Sequence, residues 1–259
     1  MNRIPGTRVF LSIILAALIG LPGVALADQV HVAVAANFAD CLEKLGTTFA
    51  ESTGHELVIS RGSTGKHFAQ IKAGAPFDVF FAADSARPAL LEAEGLTVPG
   101  SRFTYAIGEL VLWMPRAEQS RGQSVVQVLK SPDYRHLAIA NPRLAPYGLA
   151  AKQALTSLGI WDELEPRLVM GQSVGQTWQF VATGNAQLGL VAQSQLAAFE
   201  DSPGSWWIID ADLHDPIEQQ VVLMLSAAEN DAAQKLMDFV RGPEARLIIE
   251  TCGYTVPED

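Results

Sequence analysis

Four short segments share one chemistry: Ala36-Asn37 in AVAANFAD, Ser63-Thr64-Gly65 in SRGSTGKHFAQI, Pro146-Tyr147-Gly148 in NPRLAPYGLAAKQAL, and Ser173-Val174-Gly175 in GQSVGQTWQF. Each closes a segment that reads as a strand and opens one that reads as a helix. The first N–H groups of a helix have no acceptor inside it. They lie at the positive end of the helix dipole, and small or polar residues let a ligand approach them closely. Such a turn suits an anion held by neutral donors. Taken singly, Asn37, Thr64 and Ser173 read first as ordinary helix caps. Four junctions of the same kind favour binding, without naming the ligand.

The elements that must position these turns alternate, which is the pattern of a parallel-sheet α/β protein. VHVAVAA is expected as a strand, followed by a helix that puts Phe38, Cys41, Leu42, Leu45 and Phe49 on one face and stops near Gly54. ELVISRG and FDVFFAA read as strands, with a short helix between them and a second one after Asp84, its candidate cap. TYAIGELVLWMP, from Thr104 to Pro115, reads as one long strand crossing into a second lobe. HLAIAN, RLVM and QLGLVA continue that lobe, and EQQVVLMLS, from Glu218, reads as the return strand. Two helices close the chain, one capped by Asn230-Asp231 and one with Pro243 in its first turn. The expected units are one lobe of residues 28–108 plus 220–259 and a second of residues 109–219, with the ligand between them. Ligands of open α/β sheets bind beyond the carboxyl ends of the strands.

The chain has 259 residues, with 28 Asp+Glu against 18 Lys+Arg and a formal charge of −10. That balance excludes a nucleic-acid partner, since no surplus of cations is present to displace phosphate counterions. Arg3 and Arg8 precede an apolar stretch, Val9 to Leu21, and Ala25-Leu26-Ala27 supplies a small-x-small cleavage pattern. A cleaved signal peptide over residues 1–27 is expected, because the apolar part is shorter than the about 20 residues of a membrane span. With no cysteine after that cleavage point, no lipid anchor is expected. The mature chain would be exported. There an oxidising compartment permits either a Cys41–Cys252 bridge or two buried thiols.

The runs AVAANFAD, GSTGKHFAQIKAGAPFDVFFAAD, GSRFTYAIGELVLW, PYGLAAKQALTSLGIWDEL and QLGLVAQSQ resemble the periplasmic molybdate-binding proteins of ABC transporters, in order and over nearly all of the mature chain. GKHFAQIKAGAPFDVFFAAD carries most of the specificity, since generic α/β folding does not require it. The resemblance implies a two-lobed type II periplasmic-binding-protein fold, each lobe a mostly parallel sheet flanked by helices, joined by two crossing strands. It implies molybdate or tungstate in the cleft, no cofactor, delivery to a membrane permease, a periplasmic location and a monomer. It places Asn37, Thr64, Tyr147 and Val174 at the ligand positions, with Ala36, Ser63 and Gly65 adjacent and only a backbone N–H from Val174. One departure stands out. Some members carry a ligand tyrosine where this chain has Ala192, and here Tyr147 resembles the alternative source of the phenol.

Other chemistries find little support. GSTGK lacks the glycine spacing of a phosphate-binding loop, and His67 stands where Ser or Thr is needed. His31, His55, His67, His136 and His214 lack zinc-ligand spacing. There is no nucleophile elbow, and Asp78 and Asp84 read as structural hydrogen-bonding residues. The five tryptophans show no interleaving with basic residues. A non-enzymatic receptor is therefore expected. A receptor for another oxyanion or small solute is the alternative, and an exported phosphate or sulfate ester hydrolase is a distant third.

Overall fold

The computed structural model of the protein describes residues 28–115, 122–197 and 204–257; the expected signal peptide, residues 1–27, lies outside them. Two five-stranded mixed sheets form the scaffold, each flanked by helices. The first contains β1 (Gln29–Ala35), β2 (Glu56–Gly62), β3 (Val79–Phe81), β4 (Phe103–Gly108) and β10 (Ile217–Leu223), in the order β2-β1-β3-β10-β4. The second contains β5 (Leu110–Met114), β6 (Leu137–Ala140), β7 (Leu168–Gly171), β8 (Leu188–Ala192) and β9 (Ser205–Ile208), in the order β7-β6-β8-β5-β9. The two orders match: three parallel strands, then two joined by antiparallel pairing.

Parallel strands covered on both faces read as continuous apolar runs. So it is here, with all of β3, β6 and β8 buried. The run from Thr104 to Pro115, expected as one strand, is two. Gly108 ends β4 in the first sheet, and Leu110 begins β5 in the second. Glu109 lies between them, so the chain changes sheets within one residue. The return strand begins at Ile217 and closes the first sheet between β3 and β4. Strand β9, the short SWWI edge of the second sheet, had no counterpart in the sequence reading.

Helices α1 (Ala39–Thr53), α2 (Thr64–Lys72) and α3 (Ala86–Ala93) accompany the first sheet in the chain. Helices α4 (Val125–Leu129), α5 (Pro146–Ser157), α6 (Trp161–Leu164), α7 (Val174–Ala182) and α8 (Gln193–Ala197) accompany the second. Helices α9 (Asp231–Arg241) and α10 (Pro243–Thr251) return to the first, where α10 packs on α1 and both enter one apolar core. Helix α1 buries Cys41, Leu42, Leu45 and Phe49 and ends at Gly54, in the left-handed conformation that glycine adopts at no steric cost. Asn230 caps α9 through the Ala233 N–H, and Pro243 opens α10. The open question about the cysteines resolves to a bridge. Cys41 of α1 is bonded to Cys252 at the end of α10.

Candidate ligand-binding cleft

The parallel register fixes where the four turns lie. Ala35 pairs with Gly62, and Ala140 pairs with Gly171. The β1 and β2 turns therefore leave the first sheet side by side, as the β6 and β7 turns leave the second. The two pairs face each other. A Cβ added at Gly175 would stand 3.1 Å from the Cβ of Ala36, and Ser194 Oγ donates to the Asn37 carbonyl at 3.2 Å. Ala35 and Ala83 of the first lobe enter the apolar cluster of the second. Asn37, Ser63, Thr64, Tyr147 and Val174 are all buried in this closed arrangement.

Capping is carried by Ser63, not Thr64. Ser63 accepts from the Lys66 N–H, and Ser173 accepts from the Gln176 N–H at 3.2 Å. Thr64, fully buried, accepts instead from the Ala83 N–H at 3.0 Å. That bond occupies a lone pair and leaves the hydroxyl hydrogen free to donate. Asn37 caps nothing either, because the N-cap of α1 is Phe38. As the first residues of α2 and α7, Thr64 and Val174 also expose N–H groups that have no acceptor within their helices.

Asn37 is held by partners that no local sequence pattern pointed to. Its Nδ2 donates to Gln219 Oε1 at 2.6 Å and to the Tyr254 hydroxyl at 3.0 Å. Tyr254 in turn donates to the Asn37 carbonyl at 2.8 Å, and Tyr105 reaches Gln219 Oε1 at 3.3 Å. Both hydrogens of the Asn37 amide are thus committed to the protein. What remains of Asn37 as a donor is its backbone N–H. The only hint of Gln219 in the sequence was an amide inside an apolar strand, and a buried amide has to be hydrogen-bonded. Tyr254, which is 217 residues away from Asn37, gave no signal.

Tyr147 sits at the start of α5, against the strands that cross between the sheets. A Cβ on Gly108 would fall 2.1 Å from its hydroxyl and 2.9 Å from Gln219 Nε2, so only glycine admits this approach. The Tyr147 hydroxyl and Gln219 Nε2 are both buried, and neither has a hydrogen-bond partner among the described residues. Burial pushes the Tyr147 phenol well above its usual range, and the fields of Tyr254 and Glu109 push it further. Burial, with Tyr254 and Tyr147 adding to it, does the same to Tyr105. Burial also raises Tyr254, against its bonds to Ser194, Asn37 and Gln219. All three stay protonated donors at neutral pH. No lysine or arginine is buried among the described residues, and no cluster of three or more His, Cys, Asp or Glu there is placed to hold a metal ion. Asp78 and Asp84 are structural: one accepts from the His31 N–H at 2.7 Å, and the other pairs with Arg87.

A family model described as bacterial extracellular solute-binding protein matches residues 30–255. The chain belongs to that family. The solute-binding protein is 47% identical over 233 residues to the "Molybdate-binding protein ModA" of Azotobacter vinelandii, covering 89% of this chain and 91% of that one. It is 44% identical to the protein of the same name from Rhodobacter capsulatus, over 98% and 99% of the two chains. The solved Azotobacter vinelandii periplasmic molybdate-binding protein superposes with a TM-score of 0.84 at 45% identity, covering 88% of this chain and all of that one. The chain is accordingly a solute-binding protein and not an enzyme.

Proposed function

We propose that this protein is a periplasmic receptor for molybdate, with tungstate as a second ligand, that hands its oxyanion to the permease of an ABC transporter. One observation carries the oxyanion: the helix-starting turns of both lobes close on one another around neutral donors, with an unpartnered phenol among them. Likeness to proteins named for molybdate binding supports that member of the class. In this reading the signal peptide over residues 1–27 is removed, no lipid is attached, and the mature chain acts as a monomer. One lobe comprises residues 28–108 with the return strand from Ile217 onward, three residues earlier than the sequence suggested, and the other comprises the chain between them.

The donors then divide by type. Thr64 supplies its hydroxyl and N–H, Tyr147 its phenol, and Asn37 and Val174 their backbone N–H groups. Ala36, Ser63 and Gly65 line the same turns. A dianion accepts from all of these. A protonated phosphate brings a hydrogen that needs an acceptor, and a donor-only cleft leaves it unpaired at about 1–3 kcal/mol. Sulfate has only acceptors, so cavity size has to exclude it.

Native mass spectrometry of the mature protein against equimolar molybdate, tungstate, sulfate and phosphate tests this reading. One bound molybdate or tungstate per chain is expected. A complex with sulfate or phosphate alone would reassign the receptor within the oxyanion class, and no oxyanion complex at all would overturn the proposal.

A further inference from the structure

A second set of interlobe contacts lies beside the donor turns and centres on Arg87 in α3. Its Nη2 donates across the cleft to the carbonyl oxygen of Arg143, in the loop between β6 and α5, at 3.0 Å. Its Nη1 pairs with Asp84 Oδ2. Asp84 Oδ1 accepts from the Arg87 N–H at 3.0 Å, which fixes both ends of the pair on one turn. The side chains of Arg87 and Asp84 are only 22% and 19% exposed, so solvent screens the pair less than an open surface pair.

Next to it, the Gly65 N–H donates to the Leu144 carbonyl at 2.8 Å. A Cβ on Gly65 would stand 2.9 Å from that oxygen and 3.1 Å from Arg87 Nη2, so the two bonds form one joint. The lobe II side of the joint is preorganised. Arg143 N–H donates to Asn141 Oδ1, and Leu144 and Ala145 N–H donate to the Asn141 carbonyl. Three residues beyond Leu144 stands Tyr147.

We propose that Arg87, braced by Asp84, is a closure latch: a positioning residue that bonds the Tyr147 loop to lobe I only when the lobes are shut. The latch therefore sets how slowly the bound oxyanion leaves. It rests on the oxyanion reading of the cleft, and Arg87 is not among the donors assigned there. A bond made only in the closed state lowers the opening rate and leaves encounter with the open form unchanged.

The test is a chase of protein loaded with radiolabelled molybdate by excess unlabelled molybdate. It is paired with pulsed electron–electron distance measurements between spin labels at Glu51→Cys and Lys152→Cys without ligand. Arg87→Ala should release label about tenfold faster or more, the equivalent of one hydrogen bond to a charged group. Its association rate should stay within about threefold of wild type, and its distance distribution should shift toward longer separations. Arg87→Lys, a point charge that cannot fork between Asp84 and the carbonyl, should fall between the two. Unchanged release and unchanged distances in Arg87→Ala would overturn the latch. Failure of the wild type to retain molybdate would overturn the oxyanion reading instead, and the distances alone would then decide the latch.

Discussion

Tyr147→Phe should move stability and affinity in opposite directions. The hydroxyl is buried and has no partner among the described residues, and its oxygen rests against the backbone of Gly108. A buried hydroxyl left unpaired costs about 1–3 kcal/mol. Removing it takes away that cost and opens no large cavity, so the ligand-free variant should unfold at the same temperature or higher. The expected gain is at most about 2–4 °C per kcal/mol for a chain of this size. In the proposed complex with the dianion, the same hydroxyl makes a charge-assisted bond of about 1.5–3 kcal/mol. Its loss should raise Kd about 10- to 150-fold. Scanning calorimetry with and without molybdate, and titration calorimetry on both proteins, give the two numbers. A variant destabilised by several kcal/mol without ligand, with Kd unchanged, would show that the hydroxyl serves the fold and refute its assignment as a donor.

Thr64→Val keeps the shape but removes the donor and leaves the Ala83 N–H unpaired, so both affinity and stability should fall, each by about 1–3 kcal/mol by calorimetry. Asn37→Asp replaces the amide hydrogens that Gln219 and Tyr254 accept with a buried negative charge, and titration at neutral pH should show molybdate binding weakened by about 3 kcal/mol or more. The Cys41–Cys252 bridge spans 211 residues, or about 100 when the second lobe stays folded, and either loop gives about 5 kcal/mol of closure entropy. A Cys41→Ala/Cys252→Ala double variant should therefore melt about 10–20 °C lower by scanning calorimetry. His67 is packed against Phe77 and Phe80, and burial lowers its imidazole below the usual range, against the bond that its Nδ1 donates to Gln70 Oε1. The unfolded chain then takes the proton first, so this contribution is present above pH 6.5 and is lost as pH falls below it. Urea midpoints at pH 7 and pH 5 should differ less in His67→Phe than in wild type.

Capping and helix-stopping signals were legible because they act within a few residues. Ser173 and Asn230 cap their helices, Pro243 occupies the first turn of α10, and Gly54 stops α1. The boundary between lobes was not legible at that resolution. Residues on both sides of Glu109 are buried in sheets, so the apolar run continues unbroken while the chain changes sheet. Strand β9 escaped because Trp206 and Ile208 face outward from a four-residue edge. The turns that carry Asn37, Thr64, Tyr147 and Val174 were visible as candidates, but the way Asn37 is used was not. Gln219 and Tyr254 reach it over separations of 182 and 217 residues, and such contacts leave no periodicity. The same holds for Arg87, whose partner carbonyl belongs to Arg143 in the other lobe.

A cleft of neutral donors, in a chain of net charge −10, is proposed to select a tetrahedral dianion by donor geometry and size. Titration calorimetry of the mature protein with molybdate, alone and in a large excess of sulfate, decides whether it does. One molybdate should bind per chain, with an affinity that excess sulfate barely shifts. Sulfate that competes on equal terms, or an isotherm without heat for molybdate, would contradict this selection.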